Sequence, residues 1–259
     1  MSAARWFVPR GTLAAPGDFI TLPPAIAQQA RTVLRLRNGD VVTLLDDSGD
    51  AWPVTLHEVA RERVTGHLGT PYPVATEPTH HVILYQALIK AAKFEVVVQK
   101  GTEIGISSFV PLITARSVSG LEEASAQKIG RWRTIATEAA EQSERGHIPT
   151  ISAPQSLATV LQALTATDSA LIAWEEAQHA IAAPLTIHRA LAYTEKSQPR
   201  KVGAIHLFIG PEGGFTAEEI ALAQHHGGQI VTLGPRILRA ETAAIVAATL
   251  TLSALGDIG

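Results

Sequence analysis

The chain has 259 residues, of which 46% are hydrophobic and 17% charged, and its formal net charge at pH 7 is −3. This composition excludes a disordered protein, and the length suffices for one or two domains with a large core. The absence of cysteine excludes disulfides, thiolate catalysis and zinc–thiolate sites. No apolar run reaches the length of a membrane span, which is about 18 residues, and the N-terminus lacks the apolar region of a signal peptide. We therefore expect a cytoplasmic protein without a membrane partner.

Residues 1–72 are predicted to form a small β-barrel. Short runs with alternating apolar residues are separated by Gly, Pro and Asp, a pattern typical of short strands in barrels. Apolar residues at helical spacing predict one short helix over Pro24–Leu34. The predicted strands are Arg5–Val8, Asp18–Leu22, Asp40–Asp46, Ala51–His57 and Arg63–Gly66.

Arginines are concentrated before Asn38, in a stretch where only Asp18 opposes them. A net charge of −3 is unusual for a nucleic-acid-binding protein, but a local excess of arginine is compatible with a basic RNA-binding face. Ordinary solvated arginine is the alternative interpretation. The arginines concerned are Arg5, Arg10, Arg31, Arg35 and Arg37.

A proline-rich segment, Thr70–Thr79, predicts a linker at residues 73–79 and a second domain over residues 80–259. That domain reads as alternating strands and helices, which predicts an α/β fold. The polar stretch Ala182–Lys201 is interpreted as an irregular insertion. The strands and helices predicted before that stretch are His80–Ala87, Lys93–Ile104, Phe109–Ile113, Glu123–Arg145 and Ser169–Trp174.

Two unbroken apolar runs, Ile205–Ile209 and Gln229–Leu233, predict buried parallel strands, each followed by a glycine- and proline-containing loop and a helix. Thr216 and Glu219 predict a capping box at the first of these helices, and Phe215 and Ile220 a hydrophobic staple. Ligands of open α/β sheets bind at the carboxyl ends of the strands, so we expect an active site at these two loops. A tight turn without a ligand is the alternative for either loop alone.

The two loop segments, IGPEGGFTAEEI and LGPRILRAETA, resemble the signature segments of the ribosomal RNA small-subunit methyltransferase E family. Further resemblance lies in RWFVPR, VLRLRNGD, KAAKFEVVVQKGTEIGI and EAAEQSERGHIP, which occur in the family's order along nearly the whole chain. The resemblance implies a SPOUT-type knotted parallel sheet with helices on both faces, preceded by a PUA-like β-barrel. It also implies transfer of a methyl group from S-adenosylmethionine to N3 of a uridine in 16S ribosomal RNA of the small subunit.

The resemblance also implies roles for individual residues. The loops and the end of strand Ser169–Trp174 are expected to bind the cofactor, and no metal is expected. The cofactor-binding residues are predicted to be Trp174, Ile209, Gly210, Glu212, Gly213, Gly214, Leu233, Gly234, Ile237 and Leu238. Catalytic candidates are Glu212 and Glu241 as the base, and Arg239 and Arg145 as the cation that stabilises the uridine anion. RNA-binding candidates are Arg5, Arg10, Arg35, Arg37 and Lys93.

Several alternatives stay open at this point. Glu241 can orient Arg239 or form only a surface ion pair with it, and Lys93 can belong to a solvated helix face. The apolar helix Thr242–Leu255 can pack in the core or form the interface of a homodimer, as the family resemblance implies. A non-catalytic RNA-binding protein and a methyltransferase acting on another RNA site are the alternative functions.

Overall fold

The computed structural model describes residues 4–117, 126–177, 184–197 and 203–259, and its chain divides into two units. The first comprises Met1–Glu77 and Ala140–Ile148, and the second comprises Pro78–Ala139 and Pro149–Gly259. The sequence predicted a division in chain order, with residues 140–148 in the second part. In the structure this short segment belongs with the first seventy-seven residues.

A six-stranded sheet forms the first unit, in the order β1-β3-β4-β5-β2, with β6 paired to β4. The β1–β3 pair is parallel and all other pairs are antiparallel. The strands are β1 (Arg5–Phe7), β2 (Phe19–Thr21), β3 (Val41–Leu45), β4 (Asp50–Val59), β5 (Val64–Leu68) and β6 (Tyr72–Pro73). The five predicted strands are confirmed, and β6 is an addition that reaches the first residue of the predicted linker.

The predicted helix over Pro24–Leu34 is confirmed as two consecutive pieces. An α-helix, α1 (Pro24–Gln28), continues into a π-helix over Gln29–Val33. Trp6 is buried beneath it, and its indole Nε1 donates to Oε1 of Gln29 at 2.9 Å. The helix therefore covers one side of the apolar core that the strands form.

Residues 140–148 are held to the first unit by charged groups. Glu141 accepts a hydrogen bond from the backbone N–H of Phe7 at 2.8 Å. Glu77 accepts from the guanidinium of Arg145 at 2.9 Å and from the backbone N–H of Gly146 at 2.9 Å. The pKa of Glu77 is lowered, because these hydrogen bonds and the charge of Arg145 together outweigh desolvation by burial, which is the largest single effect and raises it.

The second unit contains an eight-stranded parallel sheet in the order β10-β8-β7-β13-β11-β14-β12, with β9 paired to β8. Its strands are β7 (Val82–Ala87), β8 (Ser108–Ile113), β9 (Thr150–Ile151), β10 (Gln155–Ser156), β11 (Ser169–Ala173), β12 (Leu185–Thr186), β13 (Ile205–Ile209) and β14 (Gln229–Thr232). Its helices are α2 (Ala91–Ile104), α3 (Ala126–Gln142, ending in the first unit), α4 (Leu157–Gln162), α5 (Ile187–Ser197), α6 (Ala217–His225) and α7 (Ala240–Ala254). The predicted α/β fold with a parallel sheet is confirmed.

Helices cover both faces of this sheet. Successive residues of a strand point to opposite faces, so both faces carry apolar side chains that helices bury. Tyr85 and Phe208 pack with α4 and α6 in one apolar cluster. Their neighbours Leu84 and Leu207 are equally buried on the other side, where α7 contacts β7, β13 and α2. The buried residues of α7 are Ala240, Ala244, Ala247, Ala248, Thr251 and Leu252.

The interpretation of Ala182–Lys201 as an irregular insertion is wrong for its described part, residues 184–197. That part contains the short strand β12 and the helix α5. Ile187, Ala190 and Leu191 are all buried, and their spacing is that of one helix face. The polar residues that follow them hid this pattern in the sequence. Residues 123–125 of the predicted helix Glu123–Arg145 lie outside the described residues.

Candidate functional site

Three loops meet at the carboxyl edge of the parallel sheet. Strand β11 lies between β13 and β14, and in register Ala173 pairs with both Ile209 and Val231, so the loops that follow these strands are neighbours. Together with the first turns of α2 and α7 they enclose a cavity of about 380 Å³, within the range of small-ligand sites. The two loops predicted from the sequence are adjacent to the loop after Ser169–Trp174, which was also expected to bind the cofactor.

Nine of the ten predicted cofactor-binding residues line this cavity. They are Trp174, Ile209, Gly210, Glu212, Gly214, Leu233, Gly234, Ile237 and Leu238. Gly213 is not among the lining residues, and its carbonyl oxygen instead accepts a hydrogen bond from the guanidinium of Arg116 at 2.6 Å. Arg116, in the loop after β8, was missed by the sequence analysis because no local pattern links it to a glycine 97 positions away.

The loop after β13 has a fixed shape. Gly214 has a φ of 68°, and a Cβ built there would lie 1.7 Å from Oε1 of Glu175, so only glycine fits without rearrangement. The predicted capping box is confirmed: Thr216 accepts from the backbone N–H of Glu219, whose carboxylate accepts from the backbone N–H of Thr216. Phe215 and Ile220 are buried in the same apolar cluster, as a hydrophobic staple requires.

Lys93 lies in this cavity and joins two of its loops. Its ammonium Nζ is 3.0 Å from Oε1 of Glu212 and 3.5 Å from Oε2 of Glu241. The hydrogen bond to Glu212 is the main reason why the pKa of Lys93 is raised, and the charge of Glu241 adds to it. The family resemblance implies that Lys93 binds RNA, and in the structure its ammonium lies between two of the predicted catalytic carboxylates.

Two further cations border the cavity without an anionic partner. Arg236 and Arg239 are exposed lining residues, and within the described ranges neither guanidinium forms a hydrogen bond or an ion pair. Arg239 is the N-cap residue of α7. The surface ion pair between Arg239 and Glu241 that the sequence allowed is not formed, because Glu241 pairs with Lys93 instead.

The polar groups that remain open suit a ligand with a flat ring and a charged end. The indole Nε1 of Trp174 is buried and has no hydrogen-bond partner among the residues that the structure describes. Leu233 and Leu238 add apolar surface, while Glu175 and Glu212 add negative charge. A ligand with an aromatic base and charged groups finds apolar and charged contacts in this cavity, whose lining also includes the cations Lys93, Arg236 and Arg239.

The remaining predicted site residues belong to the first unit. Arg145 is only 3% exposed and its guanidinium is bound to Glu77, so its charge is already compensated. Arg5 donates to the backbone carbonyl of Glu144 at 3.0 Å. Arg10, Arg35 and Arg37 are exposed.

In residues 4–117, 126–177, 184–197 and 203–259 no group of three or more His, Asp or Glu side chains is arranged to hold a metal ion. Within the same ranges, none of the helices combines the length and the apolar character needed to cross a membrane.

Comparison with known proteins adds independent findings. The family model of an RNA methyltransferase domain matches residues 76–252. Proteins named ribosomal RNA small subunit methyltransferase E from Synechocystis sp. and Bacillus subtilis are each 34% identical to this chain, over 88% and 83% of it and 71% and 82% of their own lengths.

Solved structures agree with the sequence comparison. The crystal structure of a ribosomal RNA small subunit methyltransferase E from Neisseria gonorrhoeae bound to S-adenosyl methionine superposes with a TM-score of 0.83 at 26% identity, covering 97% of this chain and 98% of that one. A putative methyltransferase from Legionella pneumophila, in complex with the same cofactor, gives 0.81 at 30% identity and covers 98% of both chains. With its loops, cavity and parallel sheet, this chain therefore belongs to the ribosomal RNA small subunit methyltransferase E family.

Proposed function

We propose that this protein transfers a methyl group from S-adenosylmethionine to N3 of a uridine in 16S ribosomal RNA of the small subunit. The observation that carries the proposal is the cavity at the sheet edge, which both family signature segments line. Relatives of the same family are named for the methylation of small-subunit ribosomal RNA, and two structural neighbours hold S-adenosylmethionine.

The residues of the cavity fit the cofactor. Leu233, Ile237 and Leu238 offer apolar surface to an adenine ring, and the loop after β13 gives a ligand close access to the backbone at Gly210 and Gly214. The buried indole N–H of Trp174 is a free donor among the described residues, available to an acceptor atom of the ligand. When bound, S-adenosylmethionine supplies the methyl group that the uridine nitrogen attacks.

The side chains of the chain have to manage the proton of uridine N3, which must leave before that nitrogen is nucleophilic. Glu212 and Glu241 are the carboxylates proposed to accept it. The guanidinium of Arg239, which has no ionic partner among the described residues, is proposed to stabilise the negative charge that develops on the base. Arg145 is left out of this set because its charge is bound to Glu77.

The rest of the chain is proposed to bind the RNA and to assemble the enzyme. Residues 1–72 are proposed as a PUA-like β-barrel that binds RNA, with Arg10, Arg35 and Arg37 as its exposed cations, followed by the linker 73–79. Residues 80–259 are proposed as the SPOUT domain with its knot. The strand order, in which β13 and β14 flank the earlier strand β11, supports this assignment.

A homodimer in the cytoplasm is proposed as the working form. Helix α7 keeps a half-exposed apolar face after its contacts with α2 and α5, and this face is formed by Ile245, Val246, Thr249 and Leu250. Sedimentation equilibrium of the purified protein tests this. A monomer at micromolar concentration would remove the dimer from the proposal and leave the chemistry unaffected.

The decisive experiment is methyl transfer from labelled S-adenosylmethionine to small ribosomal subunits purified from cells lacking this protein, followed by nucleoside analysis. Labelled N3-methyluridine is the expected product. Label on another nucleoside would support the alternative of a related methyltransferase with another RNA site. No label, together with no cofactor binding by calorimetry, would support the non-catalytic RNA-binding protein.

A further inference from the structure

Lys93 stands at an electrostatically unfavourable position in its helix. It is the third residue of α2, and the first turn of a helix carries the positive end of the macrodipole, where a cation is disfavoured. This turn contains no acidic residue that would compensate it. The compensation comes from two other elements instead: Glu212, in the loop after β13, and Glu241, in the first turn of α7.

The same arrangement reduces the charge repulsion between the two carboxylates. Both approach one nitrogen atom, at 3.0 and 3.5 Å, so they lie close to each other and would repel each other without a cation between them. Oε2 of Glu241 is buried, and Lys93 supplies its ion pair. The loop after β13 and the first turn of α7 are therefore both bound to α2 through one ammonium group.

We propose that Lys93 is a positioning residue for methyl transfer, whose ammonium holds the carboxylates of Glu212 and Glu241 side by side, where they can accept the uridine N3 proton. This inference rests on the function proposed above and names a residue that acts through the two carboxylates. The raised pKa of Lys93 keeps its ammonium charged through the neutral pH range. The other charged side chains that line the same cavity are Glu175, Arg236 and Arg239.

An RNA-phosphate contact is the competing role for Lys93, and the structure argues against it. Its side chain is only 26% exposed, and its ammonium is bound by two carboxylates, which repel phosphate. Because a phosphate contact and a positioning role affect different kinetic constants, they can be separated by experiment.

The test uses Lys93→Met and Lys93→Gln, which remove the charge, Lys93→Arg, which keeps it, and Lys100→Met as a matched control. Lys100 lies on the same helix and, among the residues that the structure describes, its ion pair runs along that helix to Glu103 at 2.8 Å, away from the cavity lining. Thermal unfolding of every variant is measured first, and the use of two neutral substitutions guards against a folding defect of either one.

For Lys93→Met and Lys93→Gln we expect kcat to fall on the order of 100-fold, with KM for the ribosomal subunits and the cofactor Kd changed less than about twofold. Lys93→Arg should restore most of the rate, and Lys100→Met should match the wild type.

Three results would overturn the proposal. Normal kcat with a raised, salt-dependent KM would make Lys93 a phosphate contact. Wild-type kinetics of both neutral variants would leave it no role in the reaction. A fall in kcat that Lys93→Arg does not restore would indicate a purely structural role. If instead the wild-type protein makes no N3-methyluridine, the proposed function itself fails, and that outcome is seen before any variant is compared.

Discussion

Asp257 fastens the end of the chain to the start of the parallel sheet, and replacing it with asparagine should destabilise the second unit. Its Oδ1 accepts from the backbone N–H and the hydroxyl of Thr79, at 2.9 and 2.6 Å. Its Oδ2 accepts from the backbone N–H of His80 at 3.1 Å and lies 2.9 Å from the imidazole Nδ1. Because Asp257 follows α7 and Thr79 precedes β7, this contact anchors the helix that carries Glu241.

The cost of Asp257→Asn follows from these four contacts. An asparagine oxygen can keep the pair to Thr79, but its NH2 group then faces the N–H of His80, so this donor is left unsatisfied and the imidazole loses its charged partner. Hydrogen bonds to a charged acceptor contribute about 1.5–3 kcal/mol each and are not additive, so we expect a loss of about 3 kcal/mol. For a unit of this size, that corresponds to a fall in Tm of about 6–12 °C.

The pH dependence of the stability difference between wild type and Asp257→Asn tests this explanation. Burial of Asp257, the largest effect, raises its pKa, but the hydrogen bonds from Thr79 and His80 outweigh it and the net pKa is lowered. A carboxylate with a lowered pKa contributes its stabilisation above its ordinary pKa of 3.8 and loses it as the pH falls through the folded-state value. The difference between wild type and Asp257→Asn should therefore be constant from pH 6 to 8, approximately, and shrink below about pH 4.

The assay is urea unfolding of both proteins across this pH range, with tryptophan fluorescence as the recorded signal. Asp18→Asn is the control, since that carboxylate accepts a single exposed backbone hydrogen bond, from Ala15 at 3.0 Å. A change below about 1 kcal/mol at pH 7 would refute the reasoning, as would a difference that does not shrink at low pH.

Three further results are expected. Arg239→Ala should lower kcat by about 10²- to 10³-fold with cofactor affinity retained, and wild-type turnover in the presence of bound cofactor would contradict its role. Gly214→Ala and Gly227→Ala should each lower the free energy of unfolding by about 1–2 kcal/mol, because both glycines have positive φ. Only Gly214→Ala, whose Cβ would contact Glu175, should also weaken cofactor binding, by about tenfold in calorimetry. Burial is the main reason why the pKa of His206 is lowered from 6.5, so the free energy of unfolding should fall as the pH drops from 7.5 to 5.5, and His206→Asn should lack this part of the slope in urea titrations.

Local patterns in the sequence predicted what depends on neighbouring residues. The unbroken apolar runs identified β13 and β14, and the spacing of Thr216 and Glu219 identified the start of α6, because strands and caps are formed by residues a few positions apart. The position of the cavity also followed from the sequence, since parallel strands end at the same edge of a sheet.

Long-range pairing was beyond these patterns. The ion pair between Lys93 and Glu212 joins residues 119 positions apart, and that between Glu77 and Arg145 joins residues 68 apart. Helix α5 was missed for a different reason: its buried face begins at Ile187 within a polar stretch, and strong local polarity concealed three buried residues. The main feature that the sequence did not predict is therefore which charged groups form ion pairs.

The directions of three helices explain the positions of the charged side chains around the cavity. Helices α2, α6 and α7 follow β7, β13 and β14, so all three direct their positive ends toward the sheet edge that bears the cavity. Such an edge favours anions and would disfavour a sulfonium cation. Glu218 and Glu219 in α6 and Glu241 in α7 offset this field locally, whereas α2 has Lys93 in its first turn. The cation at that point is stabilised by the carboxylates of Glu212 and Glu241, which lie close to it. Removing the ammonium of Lys93 should therefore disturb the positions of both carboxylates.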